Sequence, residues 1–295
     1  MSENNKSTAF NDKYYEEHFN LEFLPKKCML CQSGSLNRKG HLIPKFISTQ
    51  IKKKLDIPTL RYSTVTDQGL INEGRHRQDT LALQFLCDNC ENRLGLAESA
   101  FSNSQFRPRL EGAQIPDMDR LTHDFITSIA WKYATFNSFK KVGSNSLSRI
   151  EPEIEKARKY LAGEQESNPF DIYFINLERV SEVMENTDSN RFLYNITLRD
   201  REINPIQLIG DTWFPGTSSG IPIITVRLGP LCYIIAPSGH LHLLRCMPEE
   251  RPSPHNIVEL EVTQDIINLL ISLEGGFIDG IPSRINNPAM EYEMR

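Results

Sequence analysis

From residue 44 to 55 apolar side chains recur at helical spacing. Phe46, Ile47, Ile51 and Leu55 fall on one face, and Lys52, Lys53 and Lys54 fall on the other. Pro44 suits the first turn of that helix. Residues 88–101 predict a second helix, with Leu94, Glu98 and Phe101 on one stripe with Glu91. The stretch 117–139 carries Leu121, Phe125, Ile126, Ile129, Ala130, Trp131, Ala134, Phe136 and Phe139, enough for a core helix. Residues 150–162 predict a charged helix, and 163–168 a hinge. Between the first two helices the rhythm is extended. Residues 59–72 are rich in Thr, Tyr and Val, with a turn at Asp67-Gln68-Gly69, and Leu81, Leu83, Phe85 and Leu86 alternate as a strand. After Pro169 the texture changes. Residues 171–177, 191–198, 221–236 and 241–246 read as strands, the last following a turn at Pro237-Ser238-Gly239, and 262–273 as a helix. The expected fold class is therefore α+β. Residues 1–20 form a loose start, 21–105 an N-terminal module, 106–168 a helical linker layer and 169–295 a β-rich C-terminal domain large enough to stand alone.

Four cysteines give the N-terminal module its chemistry. Cys28 and Cys31 form one C-x-x-C pair, and Cys87 and Cys90 a second. A two-residue gap lets both sulfurs of a pair reach one ion, and two such pairs favour tetrahedral zinc. Four thiolates fill the tetrahedron, so the expected zinc is structural. It closes a long loop, because 55 residues separate the pairs. The remaining cysteines, Cys232 and Cys246, lie in apolar strands and are poor nucleophile candidates.

Composition changes the picture in one respect. The 295 residues are 39% hydrophobic and 24% charged, as in an ordinary globular protein, with a net charge of -5. That balance argues against a generic polyanion binder. Yet Pro25 to Tyr62 holds nine Lys and Arg against Asp56 alone, a local charge of +8 centred on the metal motif. Such a zone can serve nucleic acid, with Lys45, Lys52, Lys53 and Lys54 on phosphates, or be a solvated helix face. No apolar run is long enough to span a bilayer, and the polar first twenty residues do not read as a secretory signal, so a cytoplasmic location is expected.

Within this frame Gly40-His41-Leu42-Ile43-Pro44 follows the first pair, and Leu86-Cys87-Asp88-Asn89-Cys90-Glu91 opens the helix at 88. That order resembles the zinc-stapled branch of the HNH endonucleases, over about Pro25 to Phe101. The resemblance implies a treble-clef, ββα-metal module. It implies that His41 is the general base activating water, and that Glu91 is a ligand of a catalytic Mg²⁺ or Mn²⁺ ion. Two positions depart from the family. Gly40 stands where Asp or His usually precedes the base, and the central Asn has no counterpart among Leu81, Ala82, Leu83 and Gln84. Asp79, Glu91 and Glu98 are the replacement oxygen ligands, Glu91 and Glu98 sharing a helix face.

The chain also resembles an uncharacterised bacterial family. Its elements here are His41-Leu42-Ile43-Pro44, Arg77-Gln78-Asp79, Cys87 to Glu91 with Glu98, and Ser128-Ile129-Ala130-Trp131. Together the resemblances imply nucleic acid, DNA rather than RNA, as substrate, and a role in bacterial defence against phage. A protein partner or ligand at the C-terminal domain is a further expectation. The competing reading is a non-catalytic zinc-binding interaction module. There His41 orders the knuckle, Glu91 and Glu98 face solvent, and Asp79 caps or pairs with Arg77. His240 and His242 share one face of a strand and read as exposed residues rather than ligands.

Overall fold

A computed structural model describes residues 25–36, 39–55, 60–61, 64–65, 71–72, 76–77, 82–113, 118–138, 151–177, 179–180, 183, 209–214, 223–241, 247–248, 257–267 and 269–270. They form a mixed α and β structure. Strand β1 (Lys39–His41) leads into helix α1 (Lys45–Leu55). Four two-residue strands follow: β2 (Leu60–Arg61), β3 (Thr64–Val65), β4 (Ile71–Asn72) and β5 (His76–Arg77). β3 pairs with β4 and β2 with β5, both antiparallel, and the turn expected at Asp67-Gln68-Gly69 lies outside the described residues. Strand β6 (Ala82–Gln84) then returns antiparallel to β1, Gly40 opposite Leu83 and His41 opposite Ala82. The expected ligand Asp79 lies outside the described residues.

Helix α2 (Asp88–Phe101) starts on the second cysteine pair. Asp88 and Glu91 sit in its first turn, where carboxylates complement the helix dipole. It does not stop at Phe101 as the apolar stripe suggests. A turn of π-helix (Ser102–Phe106) carries it into α3 (Arg107–Leu110). The wider turn keeps Phe101 and Phe106 both fully buried, their rings stacked 5.9 Å apart. Helix α4 (Arg120–Asn137) packs along α2 and is capped by Asp119, whose carboxylate accepts from the Thr122 amide at 2.8 Å. Its Phe125 ring stacks on Phe101 at 4.4 Å, and Phe46 of α1 closes the same aromatic cluster. Helix α5 (Glu151–Ala162) packs on α4.

Five strands make one sheet: β7 (Phe170–Asn176), β8 (Ile209–Phe214), β9 (Ile223–Leu228), β10 (Leu231–Pro237) and β11 (Ile257–Glu259). Their order is β11-β7-β10-β9-β8, with only β11 and β7 parallel. The apolar stretch at 221–236 holds two strands, folded at Gly229-Pro230. Gly229 has φ 63, which the first central position of this two-residue turn requires. The expected strand at 191–198 lies outside the described residues, as does 242–246. Of the expected final helix, residues 264–267 and 269–270 are helical.

β7 and β10 are buried on both faces, which is why they read as continuous apolar runs. One face, including Ile172, Phe174, Tyr233 and Ile235, shares a single core with α1, α2, α4 and the cysteine segment. The other, including Tyr173, Ile175 and Ile234, packs on Ile266, Ile267 and Leu270. No helix among the described residues is long and apolar enough to cross a membrane.

Candidate metal centre and adjoining histidine site

Cys28 and Cys31 are presented by a tight knuckle. The Cys28 amide donates to the Gly34 carbonyl at 2.9 Å, and the Gln32 amide to the Cys28 carbonyl at 2.8 Å. The Met29 amide ties the knuckle to the Phe85 carbonyl at 3.0 Å, beside the second pair. Gln32 sits at φ 58, the left-handed kink that turns the chain toward Gly34. Position 34 has no room for a side chain: a Cβ there would lie 2.7 Å from the Cys87 Cβ and 2.9 Å from its sulfur.

The four sulfurs lie within 4.8 Å of one another. Cys31 and Cys87 are 3.8 Å apart. Zinc–sulfur bonds of about 2.3 Å in a tetrahedron separate sulfurs by about 3.8 Å. The cluster can therefore hold a metal ion, and its dimensions are consistent with zinc. The electrostatics agree. Burial raises the Cys28 and Cys90 thiols, so their ionised forms need a compensating cation. Cys31, partly exposed, is lowered to about 5, first by the Ser33 hydroxyl and then by the Gly34 amide, each 3.4 Å from its sulfur.

A clamp from α5 holds this knuckle. The Arg158 guanidinium donates to the Leu30 carbonyl at 2.9 Å and forms ion pairs with Glu155 and Glu164 on either side. These partners raise Arg158 further above its already high ordinary value. Arg93 of α2 donates to the Ala162 carbonyl at the C-terminal end of α5, a favourable place for a cation.

His41 ends β1, partly exposed. Just before it, the space beside Gly40 is filled by Glu91. A Cβ at position 40 would lie 2.7 and 2.8 Å from the two Glu91 carboxylate oxygens. A carboxylate from α2 thus stands where a side chain at position 40 would be. The β1–β6 register and the three residues from Gln84 to α2 bring this about: they set the first turn of α2 against the end of β1.

The other expected site residues go elsewhere. Glu98, two turns along α2, is bound by Lys132 of α4 at 3.2 Å, and the lysine side chain is only 3% exposed. Lys45 and Lys53 are exposed and Lys52 partly so, whereas the Lys54 ammonium donates to the Leu110 carbonyl. Ser128 bonds back to the Phe125 carbonyl within α4, and Trp131 is buried edge-on to Phe85 at 5.4 Å, so that motif is core packing. Cys232 is buried opposite Arg227, its thiol raised by burial. His240 lies in the turn after β10, exposed, while His242 and Cys246 lie outside the described residues.

Sequence reasoning did not single out Lys132, Arg158 or Gly34. Only Gly34 had a local signal, a glycine three residues past a C-x-x-C pair. Comparison with protein-family models, with curated proteins and with solved structures finds no match.

Proposed function

We propose that the chain is a metal-dependent nuclease of HNH type, hydrolysing nucleic-acid phosphodiester bonds, with Cys28, Cys31, Cys87 and Cys90 holding a structural zinc ion. The observation that carries this reading is the Glu91 carboxylate against Gly40. An oxygen donor fills the space that a ligand side chain at position 40, the residue before His41, would occupy. The order β1, β6, α2, two antiparallel strands followed by a helix on a cysteine base, supports the same reading.

In this reading His41 takes the proton from a water whose oxygen attacks phosphorus, and the phosphorus–oxygen bond to the leaving sugar breaks. Glu91 would hold a divalent ion such as Mg²⁺ or Mn²⁺, with Asp79 as the second candidate ligand. That ion, when bound, would neutralise charge on the scissile phosphate and the leaving oxygen. Glu98 helps only indirectly, because Lys132 engages it. Lys45, Lys52 and Lys53 of α1 are the candidate contacts to phosphate backbone, supplying affinity without sequence reading.

The second reading, a non-catalytic zinc-binding interaction module, is favoured by one observation. One of the three expected carboxylates is committed to an ion pair. Cleavage assays of the full chain with Mg²⁺ or Mn²⁺, on single- and double-stranded DNA and on RNA, separate the two. Wild type should cleave DNA, and His41→Ala and Glu91→Gln should each lose about a hundredfold while keeping the wild-type circular dichroism spectrum. Equal cleavage by wild type and His41→Ala, or none by wild type on any substrate, would leave the interaction module standing.

A further inference from the structure

Away from the cysteines, α3 and the sheet bring together two hydrogen-bond donors that lack acceptors. The Tyr233 hydroxyl, on a residue with no solvent exposure, has no hydrogen-bond partner among the described residues, and neither does the buried Nε of Arg109. Both sit on Phe174. The Arg109 guanidinium lies 4.9 Å over the Phe174 ring, and the Tyr233 ring is 6.2 Å from it. Burial raises the Tyr233 hydroxyl above its ordinary value, and the positive charge of Arg109 opposes that rise, so the two groups act on each other. No carboxylate among the described residues pairs with Arg109.

A second cation comes to the same corner. Lys54 at the end of α1 donates to the carbonyl of Leu110, the residue after Arg109. Natural proteins rarely leave a buried hydroxyl and a buried guanidinium Nε–H without acceptors unless something else supplies them. Two donors, one of them cationic, against an aromatic face match one chemistry, that of a compact oxyanion. Arg109 is only half-buried, so the corner is not sealed from solvent.

We propose that Arg109 and Tyr233 form a binding site for a small oxyanion, a phosphate or a carboxylate, where α3 meets the sheet. The guanidinium supplies charge and a fork of N–H donors, and the phenol supplies one O–H donor. A polymer backbone does not suit it, because Tyr233 lies wholly inside the core. The site shares no residue with the cysteine cluster or with His41, and it does not depend on nuclease activity.

The test is calorimetric titration of the full chain with inorganic phosphate and, separately, with acetate, at ionic strength held constant with sodium chloride. Thermal midpoints are followed in parallel, since a ligand of the folded state raises them with concentration. Wild type should bind at least one of the two anions. Arg109→Gln and Tyr233→Phe should each weaken binding about tenfold or more. Tyr233→Phe removes one oxygen atom from a site with no partner to lose, so it keeps the test valid if Arg109→Gln folds poorly. Phosphate alone binding assigns a tetrahedral anion, and acetate alone a carboxylate. Phosphate also stabilises proteins non-specifically by exclusion from their surface. A midpoint rise equal in wild type and Tyr233→Phe is that effect and overturns the proposal, as does no heat of binding with either anion.

Discussion

Two glycines, Gly34 and Gly40, have their side-chain space filled by different kinds of neighbour, and the difference is measurable. At Gly34 a new Cβ would meet the Cβ of Cys87, which is fixed by its backbone within the cysteine cluster. Something must shift, so Gly34→Ala should cost about 1–3 kcal/mol and weaken metal binding. At Gly40 the clash is with the tip of the Glu91 side chain, which can swing away. Gly40→Ala should therefore change stability by less than about 1 kcal/mol. If Glu91 serves the proposed chemistry, it should nevertheless lower nuclease activity about tenfold or more, because it expels the carboxylate from its place against position 40. Denaturant unfolding and cleavage assays on the two variants make the comparison. A Gly40→Ala protein of full activity would mean that Glu91 has no part in the chemistry. The sequence hints at this only for Gly34, three residues past a C-x-x-C pair. Gly40 reads there as a missing ligand, and only the fold shows that the space beside it is filled by the carboxylate of Glu91, 51 positions later.

At the scale of elements, what was legible was what depends on short spacings. The helices near 44–55, 88–101 and 150–162 follow from apolar periodicity within one or two turns, and the paired cysteines from a two-residue gap. What was not legible depends on partners far apart. Arg158 reaches the Leu30 carbonyl across 128 positions, and Lys132 reaches Glu98 across 34. Sequence reasoning placed Glu98 inward on its stripe, but the stripe cannot say whether a cation or a metal awaits it. The α2–α4 interface answers with a lysine, Lys132, 3.2 Å from the Glu98 carboxylate. Glu98→Ala would strand the Lys132 ammonium, whose side chain is 3% exposed, and should cost about 3–5 kcal/mol. Lys132→Met should cost less, because Glu98 is 22% exposed and water can serve it. The double variant Glu98→Leu with Lys132→Met should recover most of the loss. Urea titrations of the three proteins decide it. If Glu98→Ala keeps full stability, the ion pair is incidental and Glu98 returns as a candidate ligand.

For the whole molecule the question is how far the effect of the metal reaches. The cysteine cluster closes a loop of 55 residues, and much of that loop's structure is strands of two residues that could not persist alone. Cys28, Cys87 and Cys90 belong to the same core as Phe101, Phe125, Trp131 and the sheet residues Phe174 and Tyr233. Arg158 adds a polar tie from α5 to the knuckle. Structural zinc contributes about 10–16 kcal/mol in small zinc-binding peptides, comparable to the roughly 5–15 kcal/mol that stabilises a whole domain. Loss of an ion from this core should therefore weaken helices and sheet together. Scanning calorimetry should show one transition in the metal-loaded chain. After strong chelation it should remain one transition, lowered by about 10 °C or more. Cys28→Ser should shift it the same way without chelator. Two transitions, one of them unmoved by chelator, would instead mean that the sheet folds independently of the cysteine segment and that the shared core is only a contact between separate units.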